Sequence, residues 1–109
     1  MAAETDYRDE TQAPTREEID RTTGPVLLEF GTPSCGHCRA IAPRVAEHLA
    51  GHPEVQHFKV EDGPGRPLGR SFQVRMWPNF VFLRDGQVAA QLARPGHDQL
   101  AEAFRKLVG

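Results

Sequence analysis

The chain has 109 residues, of which 26% are charged and 39% apolar, with a formal net charge of −2. Single domains most often run to about 100–150 residues, so one core is expected, and the composition is too apolar for a wholly disordered chain. Arginines alternate with carboxylates along the whole length without forming a basic stripe, which sets nucleic acid aside as a partner.

Residues 1–14 carry charged and small polar side chains with almost nothing to bury, and they read as a flexible N-terminal arm before a domain over 15–109. Neither the basic start nor the apolar stretch of a signal peptide is present, so a cytoplasmic protein is expected. Thr15-Arg16-Glu17-Glu18 has the capping-box spacing and should open a short helix over 15–23 that stops at Gly24-Pro25. Residues 26–30 form a near-continuous apolar run, the pattern of a central strand covered on both faces. From 35 to 50, Ile41, Ala42, Val45, Ala46 and Leu49 recur at helical spacing, with Pro43 expected to kink the helix and Gly51 and Pro53 to end it.

A second strand is expected over 55–61 and a short helix near 68–72, after the turn-forming stretch 63–67. Residues 80–83 and 87–92 flank Asp85-Gly86, a strong hairpin signal. A last helix over 97–108 places Leu100, Ala103, Phe104 and Leu107 on one face. The order α-β-α-β-α-β-β-α gives an α/β fold. Strands joined by helices should run parallel, and the final hairpin should add an antiparallel pair, so the mixed four-stranded sheet has helices on both faces. The longest apolar runs are far shorter than the roughly 20 helical residues needed to cross a bilayer, and no membrane partner is expected.

Only two cysteines occur, spaced C-x-x-C, too few to staple a secreted domain. Cys35-Gly36-His37-Cys38 falls where a strand passes into a helix. A helix N-terminus offers unpaired N–H groups and partial positive charge, which favour a thiolate on Cys35, the expected nucleophile. Cys38, three residues on and on the same side of the first turn, can attack a mixed disulfide formed at Cys35, which makes it the resolving thiol. The competing reading is half of a zinc site. Four ligands are needed for closure, and no second C-x-x-C or H-x-x-x-H completes it, so no metal is expected. His48 and His52 are four residues apart, but Gly51 should end the helix between them and keep them off one face.

The run Cys35-Gly-His-Cys-Arg-Ala-Ile-Ala-Pro43, the strand over 26–30, Trp77-Pro78 and the hairpin around Asp85-Gly86 together resemble the thioredoxin family, from residue 26 to the C-terminus. The resemblance implies a thioredoxin-like fold and a thiol–disulfide oxidoreductase that needs no metal and no bound cofactor. It implies a monomer whose partners are protein disulfide substrates and an external reductant, thioredoxin reductase or glutathione. It also implies that Pro78 is cis and packs beside the redox pair. The backbone of Trp77 would then pair with a substrate strand, and Gly36 and Ala93 would join them in contacting substrate.

Glu29 stands where the family places a buried aspartate behind the resolving cysteine, and is a candidate proton acceptor for Cys38. A buried carboxylate is costly without a task or a partner; the plainer alternative has Glu29 facing solvent. His37 lies between the cysteines as in protein disulfide isomerases and could stabilise the Cys35 thiolate, or simply be an exposed first-turn histidine. Ser34, Met76, Trp77 and Ala93 depart from the usual family residues. They leave the redox machinery intact and remake the surface around it. Trp77 either covers the face that Ser34 leaves bare or serves as a core aromatic. The altered groove raises a second reading, a thioredoxin fold kept as a chaperone or assembly module for one dedicated protein; retention of both cysteines favours the enzyme.

Overall fold

The computed structural model describes residues 3–109. In chain order it holds α1 (Arg16–Asp20), β1 (Pro25–Gly31), α2 (Gly36–Gly51), β2 (Gln56–Glu61), α3 (Pro67–Ser71), β3 (Asn79–Arg84), β4 (Gln87–Ala93) and α4 (His97–Val108). The expected element order stands, with boundaries moved by a residue or two except at α1, which ends three residues early at an Arg21 cap. Its capping box forms as the spacing implies: the Thr15 hydroxyl accepts from the Glu18 N–H at 3.1 Å, and the Glu18 carboxylate accepts from the Thr15 N–H at 2.9 Å.

The sheet order is β2-β1-β3-β4. β1 and β2 are parallel, as expected for strands joined by a crossover helix. The general expectation that helix-joined strands are parallel is corrected at β3, which runs antiparallel to β1. α3 has only five residues and returns the chain by about 7.5 Å, whereas a six-residue strand spans about 20 Å. The connection therefore stays at the end of the sheet where β1 and β2 finish, and β3 starts there. At the hairpin, Asp85 and Gly86 both take positive φ, 51° and 78°, as a two-residue primed turn requires.

The strand period of two sorts β1 between two cores. Leu27 joins Ile41, Val45 and Leu49 of α2 and Leu100, Phe104 and Leu107 of α4 on one face. Val26, Leu28 and Phe30 join Ile19 of α1, Leu68 of α3 and Phe72 on the other. Glu29 has the parity of Leu27 and so lies under α2. α2 continues through Pro43 to Gly51, capped by His52. The expectation that His48 and His52 lie apart is corrected: both rings stack over Phe104, at 4.7 and 6.3 Å between centroids. The helix reaches one residue further than the glycine signal implies, which brings both imidazoles over α4 as packing groups.

Residues 3–14 lie against the sheet rather than away from it; the first two residues of the expected arm are outside the described residues. Arg8 bridges Val60 in parallel, its N–H donating to the Lys59 carbonyl at 2.7 Å and its carbonyl accepting from the Glu61 N–H at 2.9 Å. The Glu4 carboxylate accepts from the Lys59 N–H at 2.9 Å. The outer edge of β2 would otherwise present unpaired donors, and this segment satisfies them without needing an apolar face of its own.

Candidate active site

The end of the sheet where β1 and β2 finish and β3 begins gathers the loop before α2, the 62–78 connection and the end of β4. Cys35 is the N-cap of α2, in extended backbone, and its sulfur accepts the Cys38 N–H at 3.2 Å. One of the helix's unpaired donors is thereby pointed at the sulfur. Cys35 is half-buried and Cys38 is 1% exposed, both as free thiols. Burial pushes the Cys38 thiol up to about 11, and its bond with Cys35 adds to the rise; bonds with the Thr32 backbone and the Tyr7 hydroxyl oppose it.

Tyr7 is the contact that the sequence conceals. Its hydroxyl bonds to Cys38, and burial, that bond and the charge of Glu29 all hold it protonated well above the ordinary phenol range. The two groups meet over Gly31. A Cβ on Gly31 would stand 2.6 Å from Cys38 Sγ and 2.7 Å from Tyr7 Oη, so a residue without a side chain is what lets them share that space. The Lys59 ammonium lies 4.6 Å from the centroid of the Tyr7 ring, which packs the ring between β2 and the site.

Glu29 is 1% exposed, so the alternative of a solvent-facing carboxylate is set aside. Its Oε1 lies 2.8 Å from Nε2 of His57, itself buried. His57 Nδ1 accepts the Glu4 N–H at 2.9 Å, which leaves the ring's proton on Nε2; a neutral imidazole therefore donates to Glu29. The second oxygen, Oε2, is buried with no protein partner among the described residues. A cleft of 340 Å³, lined among others by Glu29, His57, Lys59, Arg39 and Ala42, reaches this group, with room for several waters at about 30 Å³ each. His57 and Lys59 alternate with Phe58 and Val60, and that parity was the available signal that β2 turns polar groups toward Glu29.

The Trp77–Pro78 peptide bond is cis, and Pro78 is buried. His37, Ile41, Pro78, Arg94 and His97 line a groove of 250 Å³ next to the Cys35–Cys38 turn, with His37 exposed at its mouth and Gly36 exposed in the turn itself. Ala93 ends β4 opposite Asn79, one residue before the groove-lining Arg94. The half-buried Trp77 packs against the α1/α3 cluster, and its indole N–H donates to Asp62 at 2.8 Å. Asp62 is in turn placed by its N–H donating to the Gly31 carbonyl at 2.9 Å. The Trp77 carbonyl accepts from Arg94 Nε at 2.6 Å. Among the described residues no cluster of three or more metal-ligating side chains occurs, and no helix is long and apolar enough to cross a membrane.

A sequence model described as Thioredoxin matches residues 8–106. The solved structure of thioredoxin 2 from Pseudomonas aeruginosa in its reduced form is similar over 96% of each chain, with 58% identity and a TM-score of 0.83. A thioredoxin of Aspergillus fumigatus is 35% identical over 66 residues, 61% of each chain. Protein disulfide-isomerase A2 of Pongo abelii is 36% identical over 91 residues, which are 77% of this chain and 17% of that one. These two curated relatives are thus matched over less than two thirds of their own lengths.

Proposed function

The chain belongs to the thioredoxin family, and on that premise we propose that it is a thiol–disulfide oxidoreductase acting on protein disulfides through Cys35 and Cys38. The observation that carries the reading is the asymmetry of the two sulfurs: Cys35 is reachable and capped by a helix N–H, whereas Cys38 is buried behind it with its proton held up to about 11. The Cys35 thiolate attacks one sulfur of a substrate disulfide and expels the other as a thiolate. Cys38 then gives up its proton and attacks Cys35 Sγ, releasing the second substrate thiol. Two electrons pass to the substrate and a Cys35–Cys38 disulfide is left, to be reduced by thioredoxin reductase or glutathione.

The difficulty lies in the second step, where a buried thiol must ionise. Tyr7 donates to the sulfur as negative charge develops, and Glu29, oriented by neutral His57, keeps Oε2 open as the acceptor for the departing proton. His37 at the groove mouth stabilises the Cys35 thiolate, and Trp77, Pro78, Gly36 and Ala93 border the substrate strand. A cytoplasmic, monomeric protein suits this chemistry.

The test uses a disulfide substrate such as insulin. Cys35→Ser should abolish exchange, while Cys38→Ser should attack once and stall as a mixed disulfide, visible as a mass adduct that thiol reagents release. Equal trapping by both variants, or turnover surviving Cys35→Ser, would overturn the roles given to the two cysteines, whereas an unaltered chain that reduced no disulfide would leave a binding module as the better account.

A further inference from the structure

The arginines divide into two populations. Arg8, Arg16, Arg21, Arg44, Arg66 and Arg105 each sit within ion-pair distance of a carboxylate. Arg84 bonds the Leu107 carbonyl at the end of α4. The remaining four, Arg39, Arg70, Arg75 and Arg94, are exposed and form no ion pair among the described residues. All four lie at the end of the sheet that carries the redox pair. Arg39 follows Cys38 and holds the Pro33 carbonyl of the loop before Cys35 at 2.9 Å. Arg94 lies in the groove with His37 and Pro78. Arg70 and Arg75 border a 440 Å³ hollow with Asp62, the residue that anchors the Trp77 indole.

The two carboxylates at the end of β2 and just after it are engaged. Asp62 is 9% exposed and bonded to Trp77, and Glu61 is held by Arg66 at 3.0 Å. On a chain whose net charge is −2, four exposed arginines thus gather at the end that holds the nucleophile, where they outnumber the exposed carboxylates Asp6 and Asp98. We propose that this rim of unpaired arginines docks proteins whose reactive disulfide is flanked by carboxylates. The inference rests on the redox reading and names its substrate class. Each exposed contact adds little on its own, but together they raise the encounter rate and fix orientation, and salt screens them. A partner reached through phosphate or a lipid surface would leave Cys35 without a disulfide to attack, which favours a protein.

The test compares two peptides of equal length, each closed by one disulfide, flanked by glutamates in one and lysines in the other, with neutral hydroxyethyl disulfide as a third substrate. At low ionic strength kcat/KM for the glutamate peptide should exceed that for the lysine peptide by about tenfold, and the gap should close toward molar salt, where screening acts within about 3 Å. Arg70→Glu with Arg75→Glu should abolish or invert the ratio, which divides out any change in intrinsic turnover. Arg21→Glu, at the opposite end of β1, makes the overall charge more negative and should keep the ratio. Equal rates for the two peptides, or a ratio untouched by the double reversal, would overturn the rim. Failure of the unaltered protein on all three substrates would instead strike the redox reading beneath it.

Discussion

On the α1/α3 side of the sheet, β1 contributes Val26, Leu28 and Phe30 to a cluster that is apolar throughout. On the α2/α4 side the same strand contributes Leu27 and then Glu29, and the polar group recruits His57 from β2 and the N-terminal segment beyond it. One face is built for cohesion, the other gives up some cohesion to keep an ionisable group beneath the redox helix. The comparison shows where cost is tolerated: a buried carboxylate is acceptable at position 29 because partners already stand on that face, and nowhere one residue away.

The strongest way to break the contrast is to move the carboxylate by one position. Leu28→Glu places it among Phe30, Phe58 and Val81 with no donor in reach, and should cost roughly 4 kcal/mol or more, a large share of the about 5–15 kcal/mol of an ordinary domain, read as a sharply lowered midpoint in a urea titration. Glu29→Leu is gentler. It leaves the His57 Nε2–H unpaired and should cost about 1–3 kcal/mol, and adding His57→Leu should recover part of that loss by removing the second buried polar side chain, less what the Glu4 N–H loses with its acceptor. Both variants should resolve mixed disulfides slowly in single-turnover measurements, so stability and rate move apart. A double variant that resolved at the original rate would make the Glu29–His57 pair purely structural.

The smallest effects concern Tyr7 and the proton on Cys38. Tyr7→Phe removes one hydrogen bond, worth about 1 kcal/mol, and should slow resolution about fivefold while initial attack by Cys35 is unchanged. The Cys38 thiol is raised in the fold from 9.0 to about 11. Below that window both folded and unfolded chains hold the proton; within it only the unfolded chain has lost it. Stability of the reduced protein should therefore fall as pH rises from about 9 to about 11. Cys38→Ala should remove that part of the slope, and an identical pH profile would show that the thiol is not held protonated by the fold.

Much of this was legible beforehand where a periodic pattern met a matching stop signal. β1, the redox helix, the Asp85-Gly86 hairpin and α4 announce themselves by burial periodicity and turn chemistry, and the position of Cys35 at a helix start follows from them. The N-terminal segment did not, because it docks through backbone bonds and a carboxylate, neither of which leaves a periodic trace. Tyr7 was hidden for the same reason, a single aromatic in a polar stretch whose partner is 31 residues away in sequence. The direction of β3 depended on where a five-residue helix could carry the chain, which spacing alone does not state. His57 was readable by parity once Glu29 was known to be buried.

The chain contains one tryptophan and one tyrosine. Trp77 immediately precedes Pro78 with its indole tied to Asp62, and the Tyr7 hydroxyl rests on Cys38. Apart from the weak bands of phenylalanine, the near-ultraviolet absorption and emission of the molecule thus arise from one ring beside Pro78 and one on Cys38, so an unlabelled solution of the protein carries an optical signal from that end of the sheet.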